Sequence, residues 1–213
     1  LDVLGMAQTG TGKTAAFTLP ILQKLNASQS TEKARDPRAL ILAPTRELAI
    51  QINESIRKYG QYIALKHTVI FGGVKQGPQV KALDRGMDII VATPGRLLDL
   101  INQGFCSLNK IEFFVLDEAD RMLDMGFIRD VEKVVKILPK KRQTLFFSAT
   151  MPDSVIKLAN TILTSPKQVK VKSTLTPVER IAQSVIVIDP KDKVLQLITL
   201  LKEKEFNSVI VFT

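Results

Sequence analysis

Hydrophobic positions fall along this chain in two alternating rhythms. Short unbroken apolar runs occupy residues 39–43, 68–71, 88–92, 113–116 and 144–147, and a further short run at 2–6 opens the chain. Between them, apolar residues recur at helical spacing: Leu48, Ile52, Ile56 and Tyr59; then Ile128, Val131, Val134, Val135 and Leu138; then Val155, Leu158, Ala159 and Ile162. A strand that is apolar throughout, rather than at every second position, is covered on both faces. The alternation therefore predicts an α/β fold: a mostly parallel sheet with amphipathic helices packed on each side. The stripes themselves are core and carry no functional meaning.

Local signals refine this outline. Thr93-Pro94 sets a capping hydroxyl ahead of a proline at a first helical position. Thr150 followed by Asp153 has the spacing of a capping box. Residues 26–38 are polar and read as a surface connection. The pattern breaks at 172–177. Beyond it, 181–188 reads as a strand, Val194, Leu197, Ile198 and Leu201 as a helix face, and 208–212 as a strand. Two strands and one helix cannot close a core. The expected organisation is thus one domain at 1–172, a linker at 173–180, and the truncated start of a second domain at 181–213, expected to pack loosely.

Composition narrows the classes. Hydrophobic content of 45% in 213 residues is ample for a packed core. The single cysteine, Cys106, cannot close an internal disulfide, which points to a reducing compartment such as the cytoplasm. No apolar run approaches the roughly 18 residues of a membrane span. The net charge is +9, and the stretch from Arg129 to Lys172 holds ten basic and three acidic residues. Such asymmetry suits a polyanion. With 6% aromatics and no Trp, contact through a phosphodiester backbone is the better expectation than base stacking. His67 reads as structural or solvated, and no cluster of metal-ligating residues stands apart from the motifs below.

Two motifs carry chemistry. Ala7-Gln8-Thr9-Gly10-Thr11-Gly12-Lys13-Thr14 is a phosphate-binding loop of the Walker A type, with Ala7 where Gly usually stands. Its small residues let backbone N–H groups curl round an anion, and the helix that follows presents its amino end to the same charge. Lys13 supplies a mobile positive charge for the β- and γ-phosphates of ATP, and the Thr14 hydroxyl suits a Mg²⁺ position. The second motif is Asp117-Glu118-Ala119-Asp120, directly after the apolar run 113–116. Acidic residues at the carboxyl end of a buried strand sit where open α/β sheets bind ligands. Asp117 is placed for the metal and Glu118 for the attacking water, which with Lys13 makes the candidate catalytic set.

With these motifs in hand, the order and spacing of six segments become diagnostic. The phosphate loop, Pro44-Thr45-Arg46-Glu47-Leu48-Ala49, Gly72-Gly73, Thr93-Pro94-Gly95-Arg96, Asp117-Glu118-Ala119-Asp120 and Ser148-Ala149-Thr150 resemble the DEAD-box RNA helicases. Val209-Ile210-Val211-Phe212 looks like the first strand of that family's second RecA-like domain. The wording Arg121-Met122-Leu123-Asp124-Met125-Gly126-Phe127 is similar to the bacterial RhlE-like branch. The resemblance implies RecA-like architecture and an RNA-stimulated ATPase using ATP and Mg²⁺. It implies RNA contacts, through the backbone, from Pro44, Thr45, Arg46, Gly72, Gly73, Thr93, Pro94, Gly95 and Arg96. Asp120, Ser148 and Thr150 would couple the nucleotide to the RNA side. The family's adenine-reading segment lies upstream of the phosphate loop, and nothing here precedes Leu1; its completing arginines lie beyond Thr213. Activity of the chain alone is therefore expected to be weak. Two other readings stand beside the helicase: an ATP-gated RNA clamp or assembly platform, and a DNA-directed helicase of the same superfamily.

Overall fold

Seven parallel strands, in the order β3-β4-β2-β5-β6-β1-β7, organise the first part of the chain. A computed structural model describes residues 1–8, 10–28, 36–171, 184–202 and 208–212. Thr9, residues 29–35 of the expected connection, the expected linker 173–180 and residues 181–183 lie outside them. The described residues divide into two units, Leu1–Ser173 and Thr174–Thr213.

In the first unit strands and helices alternate: β1 (Val3–Met6), α1 (Lys13–Ala27), β2 (Ala39–Leu42), α2 (Arg46–Tyr59), β3 (His67–Ile70), α3 (Gly77–Asp84), β4 (Ile89–Ala92) and α4 (Pro94–Asn102). Then come β5 (Phe113–Leu116), α5 (Ala119–Asp124), α6 (Ile128–Ile137), β6 (Gln143–Ser148), α7 (Asp153–Ile162) and β7 (Lys167–Lys170). β2, β4 and β5 are buried at every position. Their side chains divide by parity. Leu40, Leu42, Ile90, Ala92, Phe114 and Leu116 join a core with Leu97, Met122, Val131, Val134 and Leu158 from α4 to α7. Ala39, Ile41, Ile89, Val91, Phe113 and Val115 join another with Phe17, Leu25, Ile52 and Ile56 from α1 and α2. This two-sided burial is the RecA-like arrangement, and it is why the strands read as unbroken apolar runs.

Two elements went unforeseen and three local expectations need correction. β7 and α3 escaped the pattern: among the described residues Lys-Gln-Val-Lys is an exposed edge strand whose one partner is β1, so it never needed apolar residues. The capping box at Thr150 is absent, because α7 starts two residues later than that box requires, with Pro152 as its N-cap. Thr93 does occupy the N-cap of α4, yet its hydroxyl caps nothing. His67 lies inside β3 rather than ahead of it, its Nδ1 2.8 Å from Asn53 Oδ1, and burial lowers its pKa, with Arg57 adding to the effect.

In the second unit, α8 (Lys193–Leu201) carries the expected helical face. The expected strands do not appear: residues 184–188 and 208–212 enter no ladder among the described residues. A strand is defined by its partner, and here Val185, Val187 and Phe212 stand more than nine-tenths exposed.

Candidate nucleotide and nucleic-acid site

Because every strand runs the same way, the carboxyl ends of β1 to β6 share one edge of the sheet. Each of the six motif segments leaves the sheet from one of those ends. The strand order sorts them. β3, β4 and β2, followed by Gly72-Gly73, Thr93–Arg96 and Pro44–Arg46, are neighbours. β5, β6 and β1, followed by Asp117–Asp120, Ser148–Thr150 and the phosphate loop, are also neighbours. The two groups meet where β2 pairs with β5.

The nucleotide half is built around the loop between β1 and α1. Gly10 and Gly12 hold φ of 85° and 87°, a region that side chains with a Cβ resist, and no atom stands within 4 Å of where either Cβ would be. α1 begins at Lys13 with no side-chain cap, so the N–H groups of its first turn remain available. The Thr11 hydroxyl donates to the Gln8 carbonyl at 2.7 Å, closing the loop on itself. The amide of Ala7 donates to the Ser148 carbonyl at 3.2 Å, tying the loop to β6. Deeper in the domain, the buried Asp2 carboxylate accepts from the Thr144 amide at 2.8 Å and the Thr164 amide at 2.7 Å, anchoring the start of β1.

Lys13 Nζ lies 3.7 Å from Asp117 Oδ1, near enough for an ion pair and too far for a hydrogen bond. That ammonium is buried without a hydrogen-bond partner, an expensive arrangement for a group with three donors. Asp117 is 2% exposed; burial pushes its carboxyl above the usual carboxylate range, opposed by Lys13 and reinforced by Glu118. Gly10, Gly12, Lys13, Thr14, Asp117 and Glu118 line one cavity of about 320 Å³, with Leu48 and Tyr59 on its wall. An unsatisfied cation, open glycines with φ near 90° and a free helix start fit an anion of phosphate type. Glu118 itself holds a left-handed backbone, φ 52°, with Oε2 accepting from Arg121 Nη1 at 3.2 Å.

Next to it, Asp120, Ser148 and Thr150 form one network. Asp120 Oδ2 accepts from the Thr150 amide at 2.9 Å and from its hydroxyl at 2.8 Å. Ser148 Oγ accepts from the Asp120 amide at 3.2 Å and donates to the Thr150 carbonyl at 2.7 Å. Burial raises the Asp120 pKa, but the Thr150 hydroxyl and amide outweigh it and the net shift is downward. A depressed carboxylate pKa contributes stability that is complete above the unfolded value of about 3.9 and lost as pH falls through the folded value below it. Thr150→Val removes one of these bonds. It should cost about 1 kcal/mol at neutral pH and progressively less as pH falls below the unfolded value of about 3.9, read by urea unfolding across that range.

The other half holds the basic groups. Thr45 caps α2, its Oγ1 accepting from the Leu48 amide at 3.2 Å. The Arg46 guanidinium sits 4.8 Å from the centre of the Phe71 ring. Arg96 donates through Nη1 and Nη2 to the Val74 carbonyl, each at 3.2 Å, and its Nε lies 3.6 Å from Asp99. Both arginines therefore reach the loop that carries Gly72 and Gly73, where Gly73 holds φ of 79°. Pro94 is buried at the start of α4, beside Gly95. Sequence reasoning missed Phe71 and Gln79, and it placed Tyr59 in a core stripe, whereas Tyr59 is 47% exposed on the cavity wall; a lone Gln on a short helix carries no pattern that would single it out. Cys106 is buried, and burial with Asp36 pushes its thiol up to about 12, leaving it chemically inert.

A family model described as DEAD/DEAH box helicase matches residues 1–158. The chain belongs to that family. It is 45% identical over 213 residues to the ATP-dependent RNA helicase dbp3 of Sclerotinia sclerotiorum, covering 97% of this chain and 36% of that protein. It is 44% identical over 211 residues to the DEAD-box ATP-dependent RNA helicase CshA of Bacillus subtilis, covering 99% of this chain and 42% of that protein. Among solved structures, a DEAD box protein from Methanococcus jannaschii superposes with a TM-score of 0.74 at 40% identity, over 96% of this chain and 53% of that one. This DEAD/DEAH box chain thus spans about two fifths or less of the length of the curated relatives it matches. Membership brings ATP use as a family property. Among the described residues no helix is long and apolar enough to cross a membrane.

Proposed function

We propose that this chain is the ATP-binding part of an ATP-dependent RNA helicase, which grips an RNA backbone and couples ATP hydrolysis to local unwinding or remodelling. Ala7 to Thr14 hold the phosphates of ATP, with Lys13 as the charge that follows the transferred group. Thr14 and Asp117 would hold Mg²⁺, which would neutralise charge on the phosphates. Glu118 orients and deprotonates the attacking water. Pro44, Thr45, Arg46, Gly72, Gly73 and Thr93 to Arg96 grip RNA phosphates, using helix starts, bare amides and guanidinium forks. Asp120, Ser148 and Thr150 carry the state of one half to the other. In this reading residues 1–172 belong to a first RecA-like domain, 173–180 to a linker and 181–213 to a second one. The RhlE-like branch is favoured by the wording of residues 121–127, and the lone buried thiol favours a cytoplasmic setting.

The observation that carries this reading is the division of one sheet edge into two adjacent halves. One half is acidic, with an unsatisfied lysine above it; the other offers two arginines, a glycine pair and a helix start whose cap hydroxyl is unused. A nucleotide and a second, larger polyanion suit such neighbours. The experiment is RNA binding as a function of salt, on wild type and on Arg46→Ala, using oligonucleotides of unrelated sequence. Arg46→Ala should weaken all of them alike and lower the slope of log affinity against log salt by about 0.7, one single-strand phosphate contact. An unchanged slope with an earlier melting transition would make Arg46 a structural residue.

A further inference from the structure

The loop carrying Gly72 and Gly73 is held at both ends, and each hold leads to an arginine. At its start, the Phe71 amide donates to Gln79 Oε1 at 3.2 Å, and Gln79 Nε2 donates to the Phe71 carbonyl at 3.1 Å. This pair of bonds imitates a ladder partner just past the end of β3, which among the described residues pairs only with β4. Gln79 is 7% exposed, so a side-chain amide has been buried for the purpose. The helix that carries it is itself tied to α4, through Gln76 Nε2 to Gln103 Oε1 at 2.9 Å and Gln103 Nε2 to Asp99 Oδ1 at 2.8 Å. With its backbone fixed, Phe71 offers its ring face to the Arg46 guanidinium. At the loop's far end Arg96 grips the Val74 carbonyl through two nitrogens.

We infer that Gln79 is a positioning residue for Arg46, acting through Phe71: the side-chain amide fixes the backbone, the ring fixes the guanidinium, and the guanidinium is presented to a phosphate oxygen of RNA. The inference rests on the proposed role of Arg46 as a phosphate ligand. A long arginine side chain loses rotamer freedom on binding, and a ring that already holds it removes part of that cost. Arg96 is in a different position. Its guanidinium also grips the loop, so beside its proposed phosphate contact it holds the shape of Gly72-Gly73.

The test is a double-mutant cycle on the full chain, read by anisotropy of a fluorescein-labelled oligouridine RNA across a salt series. Gln79→Met keeps the volume and removes both hydrogen bonds; Phe71→Leu keeps those bonds and removes the ring. Each should weaken binding about three- to tenfold and flatten the salt dependence, while neither weakens binding further once Arg46→Ala is present. Phe71→Tyr, which keeps a ring, should bind as wild type does. Should Gln79→Met melt below the assay temperature, Phe71→Leu carries the same cycle with the backbone bonds intact. Additive losses would overturn the inference, since Gln79 and Phe71 would then act independently of Arg46. Normal binding by both variants, with Arg46→Ala still weakened, would also overturn it and leave the RNA reading standing. Normal binding by Arg46→Ala as well would remove that reading and this inference together.

Discussion

Replacing Glu118 by Gln is expected to lower RNA-stimulated ATP turnover by about two orders of magnitude, with nucleotide and RNA affinity held within about twofold. The amide matches the carboxylate in shape and still accepts a hydrogen bond from Arg121 on its oxygen, so the local structure should survive. It cannot take a proton from water. The backbone supports a role beyond structure: Glu118 is one of two non-glycine residues described with positive φ, a conformation costing roughly 1–2 kcal/mol for a residue with a Cβ. It holds that conformation between a fully buried strand and the first turn of α5, with its amide donating to Asp117 Oδ1 at 3.0 Å. Strain kept at such a place is a mark of a functional constraint. The measurement is single-turnover hydrolysis beside equilibrium binding, in the protein at its full natural length. Near-normal turnover would mean that the proton goes elsewhere, and a parallel loss of nucleotide affinity would mean that Glu118 serves binding.

What the residues foretold follows from which forces shape each part. The central strands were legible because burial on two faces leaves no polar position in β2, β4 or β5. The phosphate loop was legible because Gly10 and Gly12 are needed for φ values that few residues tolerate. Edge strand β7 was not, since a strand with one partner and exposed side chains has no hydrophobic signature. The cap hydroxyls show the limit of local rules: Thr45 makes its bond and Thr93, in the same kind of position, does not. Local spacing specifies the N-cap position and not how the hydroxyl turns there; the Thr93 amide donates to the Ile70 carbonyl at 2.9 Å in continuation of the β3–β4 ladder. The Gln79–Phe71–Arg46 relay was invisible for a similar reason. It joins residues from α3, the loop after β3 and the start of α2, and no spacing in the sequence encodes that meeting.

Lys13→Ala should abolish most of the affinity for nucleotide, about 10- to 150-fold if the lost contact is worth a charge-assisted hydrogen bond of roughly 1.5–3 kcal/mol. The structure adds a consequence for stability. Lys13 is the cation nearest to Asp117, whose carboxylate is 3% exposed, and removing one partner of such a pair strands the other. Asp117 can relieve the strain by taking a proton. Its folded pKa is already raised by burial, and without Lys13 it rises further. For an acid with a raised folded pKa, stability is greatest below the unfolded value of about 3.9 and is lost as pH rises through the folded value. The melting temperatures of wild type and variant should therefore be close in acid and separate as pH climbs toward neutral. Asp117→Asn in the Lys13→Ala background removes the charge that causes the penalty, so it should restore stability near pH 7 without restoring nucleotide binding. Calorimetric nucleotide titration and melting across pH separate the two roles of Lys13. A melting gap independent of pH would show that Asp117 does not depend on Lys13 for its charge. Unchanged nucleotide affinity would show that the buried ammonium is a structural cation and that phosphate is held by the loop amides alone.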